Sequence, residues 1–111
     1  MDFSNDLIRG SVVPIILSLL NERTMYGYEI VKVVNERTGG RFEWKEGTLY
    51  PTLHRLEAEK MIKSRWQASD SGKQRKYYSL TRKGEAERVR RFEEWKQFTG
   101  AMETLLARTS I

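Results

Sequence analysis

The chain has 111 residues, a net charge of +5, no cysteine and a single histidine, His54. Its length fits one domain with a modest core. The composition excludes disulfides and cysteine zinc sites, and a histidine triad or metal centre would have to be built almost without histidine, so we expect neither.

The first predicted element is a helix over residues 5–20. Its apolar residues recur at the helical spacings of three and four: Leu7, Ile8, Val12, Ile15, Ile16, Leu19 and Leu20. Val13 and Leu17 lie off this stripe, so the helix is expected to bury two faces. Pro14 lacks a backbone N–H and predicts a kink.

A second helix is predicted from Met25 to Arg37, with Thr24 as its N-cap. Gly39 and Gly40 follow its last turn, where glycine commonly ends a helix. Four apolar residues supply its buried side: Ile30, Val31, Val33 and Val34.

The third helix is predicted over residues 47–60. Thr48 is its expected N-cap, which places Pro51 in the first turn, where a missing N–H costs little. The inner face is marked by Leu49, Leu53 and Leu56. The outer face is left to Thr48, Tyr50, Pro51, His54 and Arg55.

Residues 61–81 change from the helical period to alternation, with Asp70, Ser71 and Gly72 between two alternating runs. This pattern predicts a β-hairpin, which we call the wing. Its tip is expected to be basic and to carry Lys73, Arg75 and Lys76. Trp44 and Trp66 are interpreted as core or wing packing.

The last helix is predicted to start after Thr81, its cap, and to reach about Arg108. An apolar stripe runs along it: Ala86, Val89, Phe92, Trp95, Phe98, Met102 and Leu105. Three short helices and a hairpin cannot cover so long a stripe, so part of it is expected to pack on another chain.

This order predicts a mainly α fold with one β-hairpin (α+β). It is the layout of a winged helix-turn-helix over residues 1–83, followed by a C-terminal dimerisation helix over residues 84–111 that packs with the helix at 5–20.

The positive charge is concentrated in the middle of the chain, since residues 41–83 carry eleven Lys/Arg and five Asp/Glu. A surface that faces a polyanion is one interpretation, and an ordinary solvated surface is the alternative.

In a winged helix-turn-helix, the outer face of the third helix meets the major groove of double-stranded DNA. Threonine and tyrosine hydroxyls can bind phosphate there, and histidine or arginine can reach base edges. His54 is equally readable as a solvated side chain. Tyr26 and Tyr28 either contact phosphate or pack in the core with their hydroxyls hydrogen-bonded. On the wing, the candidates for phosphate or minor-groove contacts are Lys73, Gln74 and Arg75.

The sequence offers no phosphate loop, nucleophile elbow or carboxylate pair with a histidine base, so we expect neither an enzyme nor a cofactor. Its apolar stretch at residues 11–20 is shorter than the roughly 18 residues that span a bilayer, and it lacks a basic leader. A cytoplasmic protein without membrane contact is expected.

Three blocks of sequence, in this order, strongly resemble the PadR family of bacterial transcriptional regulators: YGYEI (26–30), GTLYPTLHRLE (47–57) and RKYYSLTRKG (75–84). The resemblance implies a dimeric winged-helix repressor with a near-palindromic operator. Its dimer would form through the first and last helices. The single C-terminal helix resembles the shorter subgroup of the family.

Within that subgroup, RFEEWKQF (91–98) is similar to the multidrug-sensing members, in which planar aromatic compounds stack on a tryptophan at the dimer centre. By position that tryptophan is Trp95, although a tryptophan in such a stripe can also be interface core. The other positions that the resemblance implies are Leu7, Gly10, Val13, Pro14, Leu17, Phe92 and Lys96. Lys96 and Pro14 depart from the pattern.

A winged helix can also serve as a protein-protein interaction module, with the apolar C-terminal helix bound to a different chain. Replacing Lys73 and Arg75 with alanine would separate the two functions. A regulator should lose DNA affinity, whereas an interaction module should be unaffected.

Overall fold

The computed structural model describes residues 3–109 and has four helices and three short strands. In chain order these are α1 (Asn5–Glu22), β1 (Met25–Tyr26), α2 (Gly27–Arg37), α3 (Glu46–Ala58), β2 (Ile62–Ala68), β3 (Gln74–Leu80) and α4 (Arg82–Thr109). The strands form one antiparallel sheet in the order β1-β3-β2. The predicted α+β winged-helix architecture is therefore confirmed. The predicted DNA-binding segment (1–83) and dimerisation segment (84–111) include residues 1, 2, 110 and 111, which lie outside the described residues.

The core lies between α1, α2, α3 and the sheet. Its fully buried side chains include Ile16, Leu17, Met25, Ile30, Leu49, Leu53, Leu56, Ile62 and Tyr78. On α1 the buried apolar residues cover a broad arc of roughly 160° at about 100° per residue. Val13 and Leu17, which lie off the predicted stripe, fall inside that arc and are buried.

The start of α2 differs from the sequence prediction. Met25 and Tyr26 pair with Tyr78 and Tyr77 of β3, so the helix begins at Gly27. Thr24 is not its N-cap. The backbone N–H of Tyr26 instead donates to the Glu29 carboxylate at 3.3 Å. Pairing with a distant strand thus overrides the local capping signal.

Helix α3 begins at Glu46, so Thr48 lies inside its first turn and the prediction of Thr48 as N-cap is wrong. Lys45 holds the cap position, and its carbonyl oxygen accepts from the backbone N–H of Thr48 at 2.9 Å. Pro51 is therefore the sixth residue of the helix rather than part of its first turn. It cannot donate to the carbonyl oxygen of Gly47, one turn earlier.

The two strands of the wing are longer than the alternating runs predicted, and the loop that joins them is correspondingly placed differently. The strands pair from Ile62 with Leu80 to Ala68 with Gln74, and residues 69–73 form the loop. In that loop Gly72 has φ +85°, a conformation that favours glycine. Arg75 and Lys76 therefore lie within β3, which corrects their predicted place at the tip.

A tight joint links the base of the wing to α4. The Thr81 hydroxyl donates to the carbonyl oxygens of Lys60 (2.7 Å) and Met61 (3.0 Å) and accepts from the backbone N–H of Gly84 (3.0 Å). The predicted cap is thus confirmed. Gly84 is buried, and a Cβ placed on it would lie 2.0 Å from the Met61 carbonyl oxygen. Only glycine allows this approach.

Helix α4 packs against α1 and carries exposed apolar side chains beyond that contact. Val89, Phe92, Trp95 and Phe98 are each between 44% and 55% exposed. None of the helices within residues 3–109 is long and apolar enough to cross a membrane.

Candidate nucleic-acid interface

The inner face of α3 is occupied by three buried leucines, Leu49, Leu53 and Leu56. The side chains on the opposite face are exposed or half-buried, and they are the ones predicted for DNA contact: Thr48, Tyr50, Pro51, His54 and Arg55. The sequence prediction of which side of α3 faces outward is therefore confirmed.

The predicted residues do not all meet in one place, because the outer face of α3 divides between two grooves. Tyr50 and His54 face the wing. Thr48, Pro51 and Arg55 line a groove on the other side, beside Arg9 of α1, Lys45 and Glu43. The outer face is thus a ridge with a groove on each flank.

The groove between α3 and the wing, here called the wing cleft, has a volume of about 530 Å³. It is lined by Tyr26, Gly27, Tyr28, Tyr50, His54, Trp66, Lys73, Gln74, Arg75, Lys76 and Tyr78. Aromatic rings and basic groups dominate this set, which contains no carboxylate. Its chemistry suits an anionic partner with apolar parts.

Tyr50 is fixed in the wing cleft by its contact with the start of α2. A Cβ on Gly27 would lie 2.8 Å from the Tyr50 hydroxyl oxygen, so glycine permits the ring to lie against this turn. Tyr78 forms the buried floor, where burial raises the pKa of its phenol, with Glu57 adding to the shift. Tyr78 therefore stays neutral over the physiological range.

The two tyrosines before and within α2 have different surroundings. The ring of Tyr26 is half-buried, edge-on to Tyr77 at 5.5 Å, and covered by the Arg75 guanidinium carbon 4.3 Å from its centroid. Tyr28 is 65% exposed. The packing role weighed for Tyr26 thus fits its contacts, and Arg75 is partly engaged within the protein.

Ion pairs engage only some of the cations of the molecule. On α4, hydrogen bonds from Arg90 and then Arg91 lower the pKa of Glu87 to about 2. Among residues 3–109, the cations in ion pairs are Arg23, Arg37, Lys76, Arg90, Arg91 and Lys96. Lys45, Arg55 and Lys73 are not among them. Cations outside these ion pairs thus flank α3, as they do elsewhere on the surface.

Trp66 was interpreted from the sequence as packing, yet its side chain is 67% exposed. Alternation places it on the same face of β2 as Ile62, which is buried. Four residues span about 13 Å of strand, however, and that carries Trp66 past the edge of the core. The length of the alternating run was the signal that could have shown this.

The ligand positions implied by the family resemblance are only partly brought together. A groove of about 340 Å³ between α1 and α4, here called the α1/α4 groove, is lined by Pro14, Phe92 and Trp95 among others. Gly10 and Pro14 meet Trp95 and Phe98 in an adjoining depression. Leu7 is exposed on α1.

Four of the implied ligand positions line neither this groove nor the depression: Leu7, Val13, Leu17 and Lys96. Leu17 is fully buried in the core and Val13 is 7% exposed, which corrects their assignment as lining residues. Lys96 is exposed, 3.0 Å from the Glu93 carboxylate and 5.0 Å from the Phe92 ring centroid. Its charge is therefore partly balanced within α4.

The sequence and fold are similar to those of known transcriptional regulators. The family model described as transcriptional regulator PadR-like family matches residues 16–90. A transcriptional regulator from Clostridium thermocellum has a structure with a TM-score of 0.84 and 38% identity, over 92% of this chain and 96% of that one. A PadR family transcription regulator from Clostridium difficile has a structure with a TM-score of 0.77 and 38% identity, over 86% of this chain and 98% of that one. Transcriptional regulator YqjI from Escherichia coli is 32% identical over 75 residues, 68% of this chain and 34% of that protein.

Proposed function

Because the chain belongs to the PadR-like family of DNA-binding transcriptional regulators, we propose that it is a homodimeric repressor that a small aromatic ligand releases from its operator. Residues 1–83 form the DNA-binding domain. Residues 84–111 form the dimerisation region, whose helix α4 packs with α1. The observation that carries the proposal is the outer face of α3, whose side chains stand between two grooves that are each lined by basic side chains.

DNA recognition follows from this arrangement. With its leucines turned inward, α3 enters the major groove with His54 and Arg55 toward base edges. Lys73 and Gln74 at the end of the wing lie on the flanking backbone or minor groove, while Tyr28 and Thr48 supply hydroxyls for phosphate. Arg75 and Tyr26 act as a stacked pair that supports the wing.

Two protomers are needed because one α3 reads only a half-site. The exposed apolar side chains of α4 support a homodimer, since an isolated chain would leave them in water. Two-fold symmetry of the dimer then demands a near-palindromic operator, with half-sites about one helical turn apart.

The function is tested by fluorescence anisotropy with a labelled duplex from upstream of the chain's own gene and a scrambled duplex as control. If that region fails, a duplex enriched from a randomised library replaces it. Tight binding that depends on sequence and falls steeply with salt supports the proposal. Equal, weak binding to every enriched and scrambled duplex would reject it in favour of the interaction module.

Lys73→Ala is expected to lower the magnitude of the slope of log affinity against log salt by about 0.9 in each protomer, because one phosphate contact is lost. The same anisotropy titrations at four salt concentrations measure it. Lys83→Ala is the control, since that exposed lysine lies in the first turn of α4, at the other end of the wing. An unchanged slope in Lys73→Ala would remove Lys73 from the interface.

We propose the α1/α4 groove as the ligand site, since Trp95 is 44% and Phe92 52% exposed there. A planar aromatic compound would stack on Trp95. To release DNA it must bind more tightly to a dimer geometry that does not fit the operator. Leu7, Gly10, Pro14 and Lys96 remain candidates around it, while Val13 and Leu17 do not.

We expect a compound that binds this groove to quench tryptophan fluorescence and to weaken operator binding together. A panel of planar aromatic compounds that do not themselves bind DNA is titrated against the wild type and Trp95→Phe. The difference between the two proteins isolates Trp95 from Trp44 and Trp66. Quenching of Trp95 with unchanged operator affinity would contradict ligand release.

A further inference from the structure

The two most exposed aromatic side chains of the described chain both line the wing cleft. Trp66 is 67% exposed and Tyr28 is 65% exposed. They come from β2 and α2, so the cleft is bordered by aromatic groups on elements that are far apart in sequence. The two exposed rings, on one cleft, offer apolar surface that a partner can cover.

The cations of the wing cleft are unequally available to a partner. The Lys76 ammonium lies 3.7 Å from the Glu57 carboxylate and 5.6 Å from the Tyr78 ring centroid. Arg75 stacks on Tyr26. Lys73 takes part in no ion pair among residues 3–109 and is exposed. The cleft thus offers one available ammonium next to a large aromatic surface.

The proposed docking of α3 in the major groove determines which part of the DNA lies in the wing cleft. When α3 occupies the major groove and the wing lies on the adjacent minor groove, the sugar-phosphate strand between the two grooves runs between α3 and the wing. Such a strand alternates anionic phosphates with deoxyribose rings, whose faces are largely apolar. A lining of aromatic rings with one available cation and no carboxylate matches that alternation.

We propose that the wing cleft holds this strand, with the Trp66 indole packed on a deoxyribose and Lys73 on a neighbouring phosphate. The inference rests on the proposed DNA-binding function and adds to it an apolar contact, independent of base sequence. Trp66 then fixes how deeply α3 sits in the major groove. Tyr28 closes the other side of the strand with its ring, and its hydroxyl reaches phosphate.

The test uses Trp66→Ala and Trp66→Phe in the full chain, titrated onto the enriched operator duplex at four salt concentrations. Trp66→Ala is expected to weaken binding on the order of tenfold, as for other aromatic contacts to nucleic acid. The salt slope should not change, because no counterion-releasing contact is lost. Trp66→Phe keeps a flat apolar ring and should bind within about twofold of the wild type.

Gln67→Ala is the matched control, because Gln67 is the exposed neighbour on β2 and lines the opposite side of the wing. It should bind like the wild type, and all variants should keep the wild-type unfolding temperature. Wild-type affinity in Trp66→Ala would overturn the proposal. So would a slope reduced by about 0.9, because Trp66 would then act through a charged contact. If the wild type itself binds no duplex specifically, the proposed function fails instead.

Discussion

Gly84→Ala is expected to lower the free energy of unfolding by about 3 kcal/mol, because the added methyl overpacks the joint between the wing and α4. Its Cβ would lie 2.0 Å from the Met61 carbonyl oxygen and 2.7 Å from a methyl carbon of Leu80. That oxygen cannot move aside freely, since it also accepts from the backbone N–H of Thr81 at 3.1 Å. The first turn of α4 must therefore lift and weaken the contacts that hold it.

Gly100→Ala is the matched control in the same helix. A Cβ at Gly100 meets nothing within 4 Å, and alanine favours a helix interior by about 0.5–1 kcal/mol over glycine. Urea unfolding followed by circular dichroism should thus move the two variants in opposite directions. Equal stability of Gly84→Ala and the wild type would mean that the joint adapts without loss.

The double variant Phe98→Glu/Met102→Glu is expected to be monomeric and to lose operator affinity by about 10²–10⁴-fold. Both side chains are exposed on α4, 55% and 37% respectively, and carboxylates there would have to be buried between protomers. A monomer binds only one half-site, so it loses the additional affinity that comes from two linked binding events. Sedimentation velocity measures the assembly, and anisotropy measures the affinity.

Two controls separate loss of dimerisation from loss of folding. Gln97→Glu adds a carboxylate at an exposed position on the other side of α4 and should remain dimeric. The double variant should keep its helical content and bind an isolated half-site as weakly as the wild type does. A double variant that stays dimeric at micromolar concentration would place the dimer contact elsewhere.

Much of the fold could be predicted because its signals are local. The spacing of Leu49, Leu53 and Leu56 defines the inner face of α3, and Thr81 caps α4 through a hydrogen bond three residues along. The wrong cap of α3 is a local error of two residues, whereas the wrong start of α2 arose where distant segments meet. Thr24 looked like a cap because nothing near it in sequence shows that Met25 pairs with Tyr78.

The candidate site was predicted in outline but not in detail. The outer face of α3 follows from helical geometry once the leucines are placed, so Tyr50 and His54 were found. The division of that face into two grooves depends on where α1 and the wing pack, which periodicity does not encode. Trp66 was interpreted as packing because it shares the face of β2 that carries the buried Ile62, although the length of the alternating run indicates that β2 extends beyond the core.

The contact between Gly84 and Met61 has a mechanical consequence. Helix α4 has 28 residues and is about 42 Å long at 1.5 Å per residue. Tilting a rod of that length by about 10° moves one end by roughly 7 Å relative to the other, about two base-pair steps along DNA. Because the backbone of Gly84 lies directly against the backbone of Met61, no flexible side chain between them can absorb such a tilt. The wing and α3 must therefore move together with α4. In the proposed dimer, a small change in the angle between two α4 helices would then become a change of register on the double helix.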